Sequence, residues 1–145
     1  MNKILSVNIL GVTNTVMPFI PHMKSTKSGK IAVICSVASF RGLAHHSAYS
    51  GSKVAIRNIC QGWGTALYKH NISVTAICPG FIKSEMTDKN EFFMPFLMDT
   101  NVAVKKIIRA VEKKKKVFIF PWQMRYIGVP IMKYAPDWLF RKFSI

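Results

Sequence analysis

Three side chains whose chemistry suits proton transfer occur along the chain in the order Ser36, Tyr49 and Lys53. Tyr49 and Lys53 are four residues apart, so on a helix they share one face. An ammonium group close to a phenol stabilises the phenolate, which makes the phenol usable as an acid or a base. A serine hydroxyl nearby can hold the oxygen of a reacting molecule. The three residues therefore predict a site for proton transfer to or from a substrate oxygen.

Short apolar strands are predicted around these residues. Lys30 to Ser36, Ile72 to Cys78 and Val117 to Phe120 are apolar runs rich in β-branched or aromatic residues, and each predicts a buried strand. Ser36 lies at the carboxyl end of the first strand, where open α/β sheets bind their ligands. Pro79-Gly80 stops the second strand at the same edge of the sheet.

Amphipathic helices are predicted before the first strand and between successive strands, because apolar residues recur there at spacings of three and four. The residues expected to face the core are Leu5, Ile9, Val12, Val16 and Phe19 in the first helix, Ile56, Ile59, Cys60, Trp63 and Leu67 in the second, and Val104, Ile107, Ile108 and Val111 in the third. Pro18 and Pro21 are expected to kink or end the first helix, and Asp99 or Thr100 to cap the third.

The alternation of helices and strands predicts an α/β fold with right-handed crossovers and a parallel sheet. Three strands make a small parallel sheet, and such strands need cover on both faces and neighbours on both edges. The chain therefore resembles part of a larger sheet. The apolar segment Phe81 to Met98, which includes Met86, Phe92 and Phe93, is expected to cover something rather than to be an exposed loop.

The composition narrows the class of protein. Among 145 residues, half are hydrophobic, and 21 Lys and Arg against 6 Asp and Glu give a net charge of +15. The four lysines 113–116 are expected to form a solvated helix end, so nucleic-acid binding is not predicted.

The cysteines and the apolar runs indicate the cell compartment. Three cysteines without a Cys-x-x-Cys pair predict free core thiols, as in a reducing compartment. No uninterrupted apolar run reaches membrane-spanning length, so a cytoplasmic protein is expected.

Four sequence motifs, in order along the chain, make the pattern specific. They are Val7-Asn8 with Gly11, Ile34-Cys-Ser36-Val-Ala-Ser39, Ser47-Ala-Tyr49-Ser-Gly-Ser-Lys53, and Ile77-Cys-Pro79-Gly80-Phe-Ile-Lys-Ser84. With these motifs the sequence resembles the short-chain dehydrogenase/reductase family over most of its length. The resemblance implies the C-terminal part of a Rossmann-type doubly wound parallel sheet, with residues 1–145 forming a single partial domain, the catalytic half.

The resemblance also implies roles for individual residues. Tyr49 would be the general acid/base, and Ser36 would hydrogen-bond the reacting carbonyl or hydroxyl. Lys53 would favour the Tyr49 phenolate and bind the nicotinamide ribose, and Asn8 would support a proton relay. Together with Tyr49 and Lys53, the residues expected to contact an NADP or NAD cofactor, with NADP preferred, are Pro79, Gly80, Ile82 and Ser84. No metal site is expected. The implied reaction interconverts a small-molecule alcohol and a carbonyl.

The sequence departs from the family in one respect that affects the cofactor. Family members bind the dinucleotide pyrophosphate with a Gly-rich turn that follows their first strand, and this sequence contains no such turn. Two hypotheses follow. The chain is an oxidoreductase that works as a homo-oligomer or with a separately encoded N-terminal half, or it is a non-catalytic fragment that acts at most as an oligomer partner.

Two surfaces are candidates for contacts with partners. The small residues Gly51, Ala55, Gly62 and Gly64 on the second helix favour close approach of another subunit. The apolar and basic tail after Pro121 is expected to pack in a substrate pocket or an oligomer, with peripheral membrane contact as the alternative.

Overall fold

A computed structural model describes residues 1–84, 87 and 94–142. The chain folds as an α/β protein in which helices flank a three-stranded sheet. The elements are helix α1 (Asn2–Thr26), strand β1 (Gly29–Ile34), a 3-10 turn (Val37–Phe40), helix α2 (Ser47–Leu67), strand β2 (Ile72–Pro79), helix α3 (Thr100–Glu112), strand β3 (Val117–Phe120), helix α4 in two segments (Met124–Gly128 and Val129–Tyr134) and helix α5 (Asp137–Lys142). Of the predicted irregular segment, Met86, Phe92 and Phe93 lie outside the described residues.

The sheet has the order β1-β2-β3 with every pairing parallel, as the alternation of elements predicts. Ile34 lies opposite Ile77, and Cys78 lies opposite Ile119. The carboxyl ends of β1 and β2 therefore meet at one edge of the sheet. Ser36 follows the first of these ends and Gly80 follows the second.

The larger core lies between the sheet and helices α1 and α2. The α2 residues Ile56, Cys60 and Leu67 are buried against alternate side chains of β1 and β2, as their helical spacing predicts. Cys35, Cys60 and Cys78 are free and buried, which confirms the prediction of unpaired core thiols. This core fixes α2, the helix that carries Tyr49 and Lys53.

The smaller core lies on the other face, under α3, and here the prediction was partly wrong. Ile107 and Val111 contact this core, but Val104 and Ile108 are exposed, and the small side chains Ala103 and Ala110 are buried instead. Alanines let the helix approach the sheet closely, so the centre of the contact moves away from Val104 and Ile108.

Helix α1 also differs from the prediction. It continues past Pro18 through a 3-10 turn at Met17–Phe19, and Ile20 is buried while Phe19 is exposed. A π-helical segment at Ser6–Gly11 and the 3-10 turn change the number of residues per turn, so the apolar face departs from the regular 3.6-residue spacing.

Helix α1 differs from the expectation that no segment is long and apolar enough to cross a membrane. Its 25 residues, Asn2–Thr26, are long and apolar enough to do so by length and composition alone. Counting uninterrupted apolar runs missed this helix, because isolated Ser, Asn and Thr residues divide it. Mostly buried core helices of soluble proteins and N-terminal signal sequences pass the same test. In α1 the tested window is 6% buried, and Val12 and Val16 pack against the larger core.

Strand β1 pairs only with β2 in the described sheet, so its other edge is open. The Cys35 N–H donates to the Ile77 carbonyl oxygen at 2.7 Å. In a parallel ladder only alternate residues bond to a given neighbour, so the backbone groups of Lys30, Ala32 and Ile34 point to the open edge. Those of Lys30 and Ala32 could bond to a further strand, whereas the Ile34 carbonyl oxygen accepts from the Lys53 side chain.

We expect truncation of Ile56 to destabilise the protein far more than truncation of Ile108. Ile56 is 0% exposed and Ile108 is 52% exposed. Ile56→Ala should lower the free energy of unfolding by about 2 to 5 kcal/mol, and Ile108→Ala by less than about 1 kcal/mol. Urea denaturation followed by circular dichroism measures both. Equal losses would contradict the placement of α3.

Candidate functional site

Lys53 reaches the carboxyl end of β1. Its Nζ donates to the carbonyl oxygen of Ile34 at 3.0 Å and lies 5.7 Å from the centre of the Tyr49 ring. The four-residue spacing on α2 therefore does bring the amine and the phenol to one face, as predicted. The carbonyl that Lys53 binds belongs to the open edge of β1, two residues before Ser36.

The backbone at Tyr49 is held by a chain of hydrogen bonds from α1. Asn8 Nδ2 donates to Ser52 Oγ at 3.0 Å, and Ser52 Oγ donates to the Tyr49 carbonyl oxygen at 2.7 Å. Ser52 is 0% exposed, and the sequence-based prediction did not include it. Its position four residues before the buried Ile56, on the same face of α2, was the available signal. Asn8 thus joins the site through Ser52.

Ser36 is almost fully buried where the chain leaves β1. Its hydroxyl oxygen accepts a hydrogen bond from the Ala38 N–H at 3.1 Å and caps the 3-10 turn. This bond fixes the oxygen while the hydroxyl hydrogen remains available for donation to another acceptor. The side chain is therefore oriented at the sheet edge where the sequence predicts it.

Three buried thiols influence one another near the end of β1, where Cys35 directly precedes Ser36. Those of Cys60 and Cys78 both act on the thiol of Cys35. Hydrogen bonding to Cys60 and burial raise the pKa of the Cys35 thiol, and the bond to Cys35 together with burial raises that of Cys78. The Cys60 pKa is lowered because Cys35 donates to it. The thiols of Cys35 and Cys78 therefore stay neutral within the larger core.

Burial also acts on Lys53. It lowers the pKa of the ammonium group, and the electrostatic influence of Cys35 and Cys78 offsets part of that effect. The Lys53 ammonium group therefore loses its proton more readily than that of an exposed lysine.

The turn after β2 is closed by the tail of the chain. The Gly80 N–H donates to the Phe120 carbonyl oxygen at 2.8 Å. A Cβ atom at position 80 would lie 3.0 Å from Met124 Cγ and 3.4 Å from Pro121 Cδ, so a larger residue would require the Met124 side chain to shift by a few tenths of an ångström. Pro79-Gly80 thus stands at the predicted edge, held against the start of α4.

Two predicted cofactor contacts, Ile82 and Ser84, take other partners. The Ile82 side chain packs on the smaller core, and its backbone bridges to Met98. Ser84 is exposed, and it forms a turn with Thr87, whose N–H donates to the Ser84 carbonyl oxygen at 2.9 Å. The Ile82 carbonyl oxygen accepts from Thr87 Oγ1 at 2.9 Å, so the Ile82 N–H and the exposed Ser84 hydroxyl remain for a ligand.

Arg41 joins the loop after Ser36 to the tail. Its Nη1 donates to the carbonyl oxygens of Met132 at 3.0 Å and Ala135 at 2.9 Å, and its Nη2 forms an ion pair with Asp137. The guanidinium also lies 3.9 Å from the centre of the Phe140 ring. Sequence reasoning missed this contact because two of the partners are backbone carbonyls, which carry no sequence signal.

An open cavity of about 600 Å³ lies beside β3. It is mainly apolar, and its wall includes Phe96, Leu97, Lys106, Phe118, Trp122 and Tyr126. Part of the segment predicted to cover something, residues 96–98, thus lines this cavity together with the tail.

The sequence model that describes short chain dehydrogenases matches residues 1–93, well over half of the chain. The chain belongs to the short-chain dehydrogenase family. An uncharacterized oxidoreductase of Myxococcus xanthus is 36% identical over 137 residues, which are 94% of this chain and 54% of that protein. A 5-keto-D-gluconate 5-reductase of Escherichia coli is 36% identical over 86 residues, which are 59% of this chain and 34% of that protein.

Solved structures support the fold of this short-chain dehydrogenase chain. A short-chain dehydrogenase of Burkholderia cenocepacia in complex with NADP superposes with a TM-score of 0.79 and 23% identity, over 97% of this chain and 57% of that one. A short-chain dehydrogenase of Mycobacterium paratuberculosis bound to NAD superposes with a TM-score of 0.62 and 22% identity, over 79% of this chain and 52% of that one. The chain thus spans about half the length of the relatives that it matches.

We expect the pH dependence of stability to depend on Lys53. In the unfolded short-chain dehydrogenase chain this lysine keeps its proton up to a pH near 10.5, whereas burial makes the folded protein release it earlier. The free energy of unfolding of the wild type should therefore rise with pH just below 10.5, relative to Lys53→Met, by at most about 1.4 kcal/mol per pH unit. Urea denaturation at a series of pH values measures this difference.

Lys69 is exposed, so Lys69→Met serves as the control variant that loses one positive charge without removing a buried lysine. A difference between Lys53→Met and the wild type that does not change with pH would contradict burial as the cause.

Proposed function

We propose that this chain is the catalytic half of an NAD(P)-dependent oxidoreductase that interconverts an alcohol and a carbonyl, with Tyr49 as the general acid/base. The observation that carries the proposal is the position of Lys53. Its Nζ, 3.0 Å from the Ile34 carbonyl oxygen and beside the Tyr49 ring, links the phenol to the strand that leads into Ser36. An amine, a phenol and a serine hydroxyl in this order suit proton transfer to a substrate oxygen.

The side chains of Lys53 and Tyr49 suit the nicotinamide ribose end of a nicotinamide dinucleotide. Lys53 is a half-buried cation whose hydrogens can be donated to ribose hydroxyls, and Tyr49 lies within the same turn of α2. The other end needs backbone N–H groups for a pyrophosphate, and the sequence has no Gly-rich turn to supply them. When bound, the cofactor would supply or accept the hydride. We prefer NADP over NAD.

Each residue then has a separate task. Ser36 holds the substrate oxygen with the hydrogen that its bond from Ala38 leaves available. Tyr49 gives a proton to that oxygen or takes one from it, with the Lys53 Nζ 5.7 Å from the centre of its ring. Asn8 and Ser52 position Tyr49 through its backbone carbonyl.

Two experiments test the catalytic proposal. The chain as it stands is titrated with NADPH and NADH while cofactor fluorescence is followed. For turnover, residues 1–145 are joined behind the first half of the Myxococcus xanthus relative, and NADPH oxidation is measured with a panel of small carbonyl compounds. In this chimera we expect Tyr49→Phe to lower kcat by about 10² to 10⁴ fold with cofactor binding retained.

Tyr68→Phe is the matched control, because Tyr68 is exposed beyond the end of α2. It should leave kcat unchanged. Equal turnover in the Tyr49 and Tyr68 variants would rule out Tyr49 as the acid/base.

The second candidate is a non-catalytic partner that associates with related chains. The free backbone groups of β1 favour a contact with the first half of the same fold, because a parallel strand added there would extend the sheet. The open surface at Gly51 and Gly62, where a Cβ would have no neighbour within 4 Å, favours contact with a second copy. The two contacts use different surfaces.

A proline at position 32 tests the strand contact. The Ala32 N–H points to the open edge, so Ala32→Pro removes a donor for a new strand while the bonds between β1 and β2 remain. The tagged first half of the Myxococcus xanthus relative is expressed together with this chain and bound to an affinity column. We expect this chain to be retained on the column with the tagged half. Ala32→Pro should reduce that retention, and Ala32→Val should not. Equal retention of both variants would exclude pairing at this edge.

A further inference from the structure

The C-terminal helices expose an unusual number of large apolar side chains. Their exposed fractions run from 48% to 82%. The residues, which we call the tail surface, are Trp122, Tyr126, Ile127, Ile131, Tyr134 and Trp138. Ile127, Ile131 and Tyr134 follow at helical spacing and so share one face of α4.

Other residues of α4 are already used for packing. Met124 and Val129 are buried, and Met124 contacts the turn at Gly80. A helix in water normally presents polar residues on the side that faces away from the core. Helix α4 instead has large apolar side chains at exposed as well as at buried positions, which is typical of a helix that contacts both protein and a second apolar phase.

The charges around the tail surface are positive. Arg125, Lys133 and Arg141 are exposed among the aromatic residues. Asp137 is the sole acidic residue after Pro121 in the sequence, and its ion pair with Arg41 neutralises it. The surface thus combines Trp, Tyr, Arg and Lys, the residues that concentrate where a membrane meets water.

The tail surface is held in place by the folded protein. The bonds from Arg41 to the Met132 and Ala135 carbonyl oxygens join α4 and the residues after it to the loop behind Ser36. The Lys133 ammonium lies 5.1 Å from the centre of the Phe40 ring, in the 3-10 turn. The aromatic side chains therefore project from a fixed support.

We propose that the tail surface binds the face of a lipid bilayer that contains anionic phospholipids. The indole and phenol rings would lie at the level of the headgroups, and the basic side chains would bind phosphate groups. Charge favours this occupant over a second copy of the chain. In a symmetric contact between two copies, Arg125, Lys133 and Arg141 would face the same positive residues across the interface.

The test uses the full chain and sedimentation with vesicles. We expect binding to vesicles of equal parts phosphatidylcholine and phosphatidylglycerol, weak binding to phosphatidylcholine alone, and release at high salt. Trp138→Ala combined with Tyr134→Ala should weaken the binding by at least about tenfold. Tyr68→Ala is the matched control, because Tyr68 is 80% exposed and Tyr134 is 82% exposed. It should bind as the wild type does.

A second measurement separates the tail surface from helix α1, which also exposes apolar side chains but contains no tryptophan. Brominated lipids should quench the fluorescence of Trp122 and Trp138. In the variant with Trp122→Phe and Trp138→Phe, the remaining Trp63, which packs against the core, should not be quenched.

Three outcomes would overturn the proposal. They are no sedimentation with the anionic vesicles, sedimentation without quenching of Trp122 and Trp138, and a dimer in solution that depends on Tyr134 and Trp138 while vesicles are not bound.

Discussion

The contact of α2 with strands β1 and β2 sets the position of every other part of the site. Ile56 is completely buried in this contact, and Lys53 and Tyr49 lie about one and two turns before it on the same helix. The length of the Lys53 side chain then brings its Nζ to the Ile34 carbonyl oxygen. Because a closely packed core tolerates little movement, the relation between the phenol, the amine and the end of β1 is fixed by apolar packing.

The sequence predicts the order of the elements, the parallel sheet and the face of α2, because these depend on local composition and regular spacing. It fails where the spacing is irregular. The π-helical and 3-10 segments of α1 leave Phe19 exposed and bury Ile20, and the alanines of α3 leave Val104 and Ile108 exposed. Regular periodicity does not capture such changes in helical pitch or the distance between a helix and a sheet.

The candidate site, too, could be predicted from the sequence only in part. The sequence motifs place Ser36, Tyr49 and Lys53 at one edge, whereas Ser52 and Arg41 emerge only from the three-dimensional contacts. Ser52 acts through a backbone carbonyl one helical turn away, and Arg41 acts through carbonyls of the tail. A backbone acceptor is present at every residue, so no residue type marks it in advance.

Arg41 has a consequence for how the protein is made. Its partners Met132, Ala135 and Asp137 follow it by 91, 94 and 96 residues. During synthesis the guanidinium therefore has none of these partners until nearly all of the described chain has been made. Contacts between residues so far apart are slow to form because a long loop must close first. We infer that the contacts of Arg41 with the tail are among the last in the site to form as the newly made chain folds.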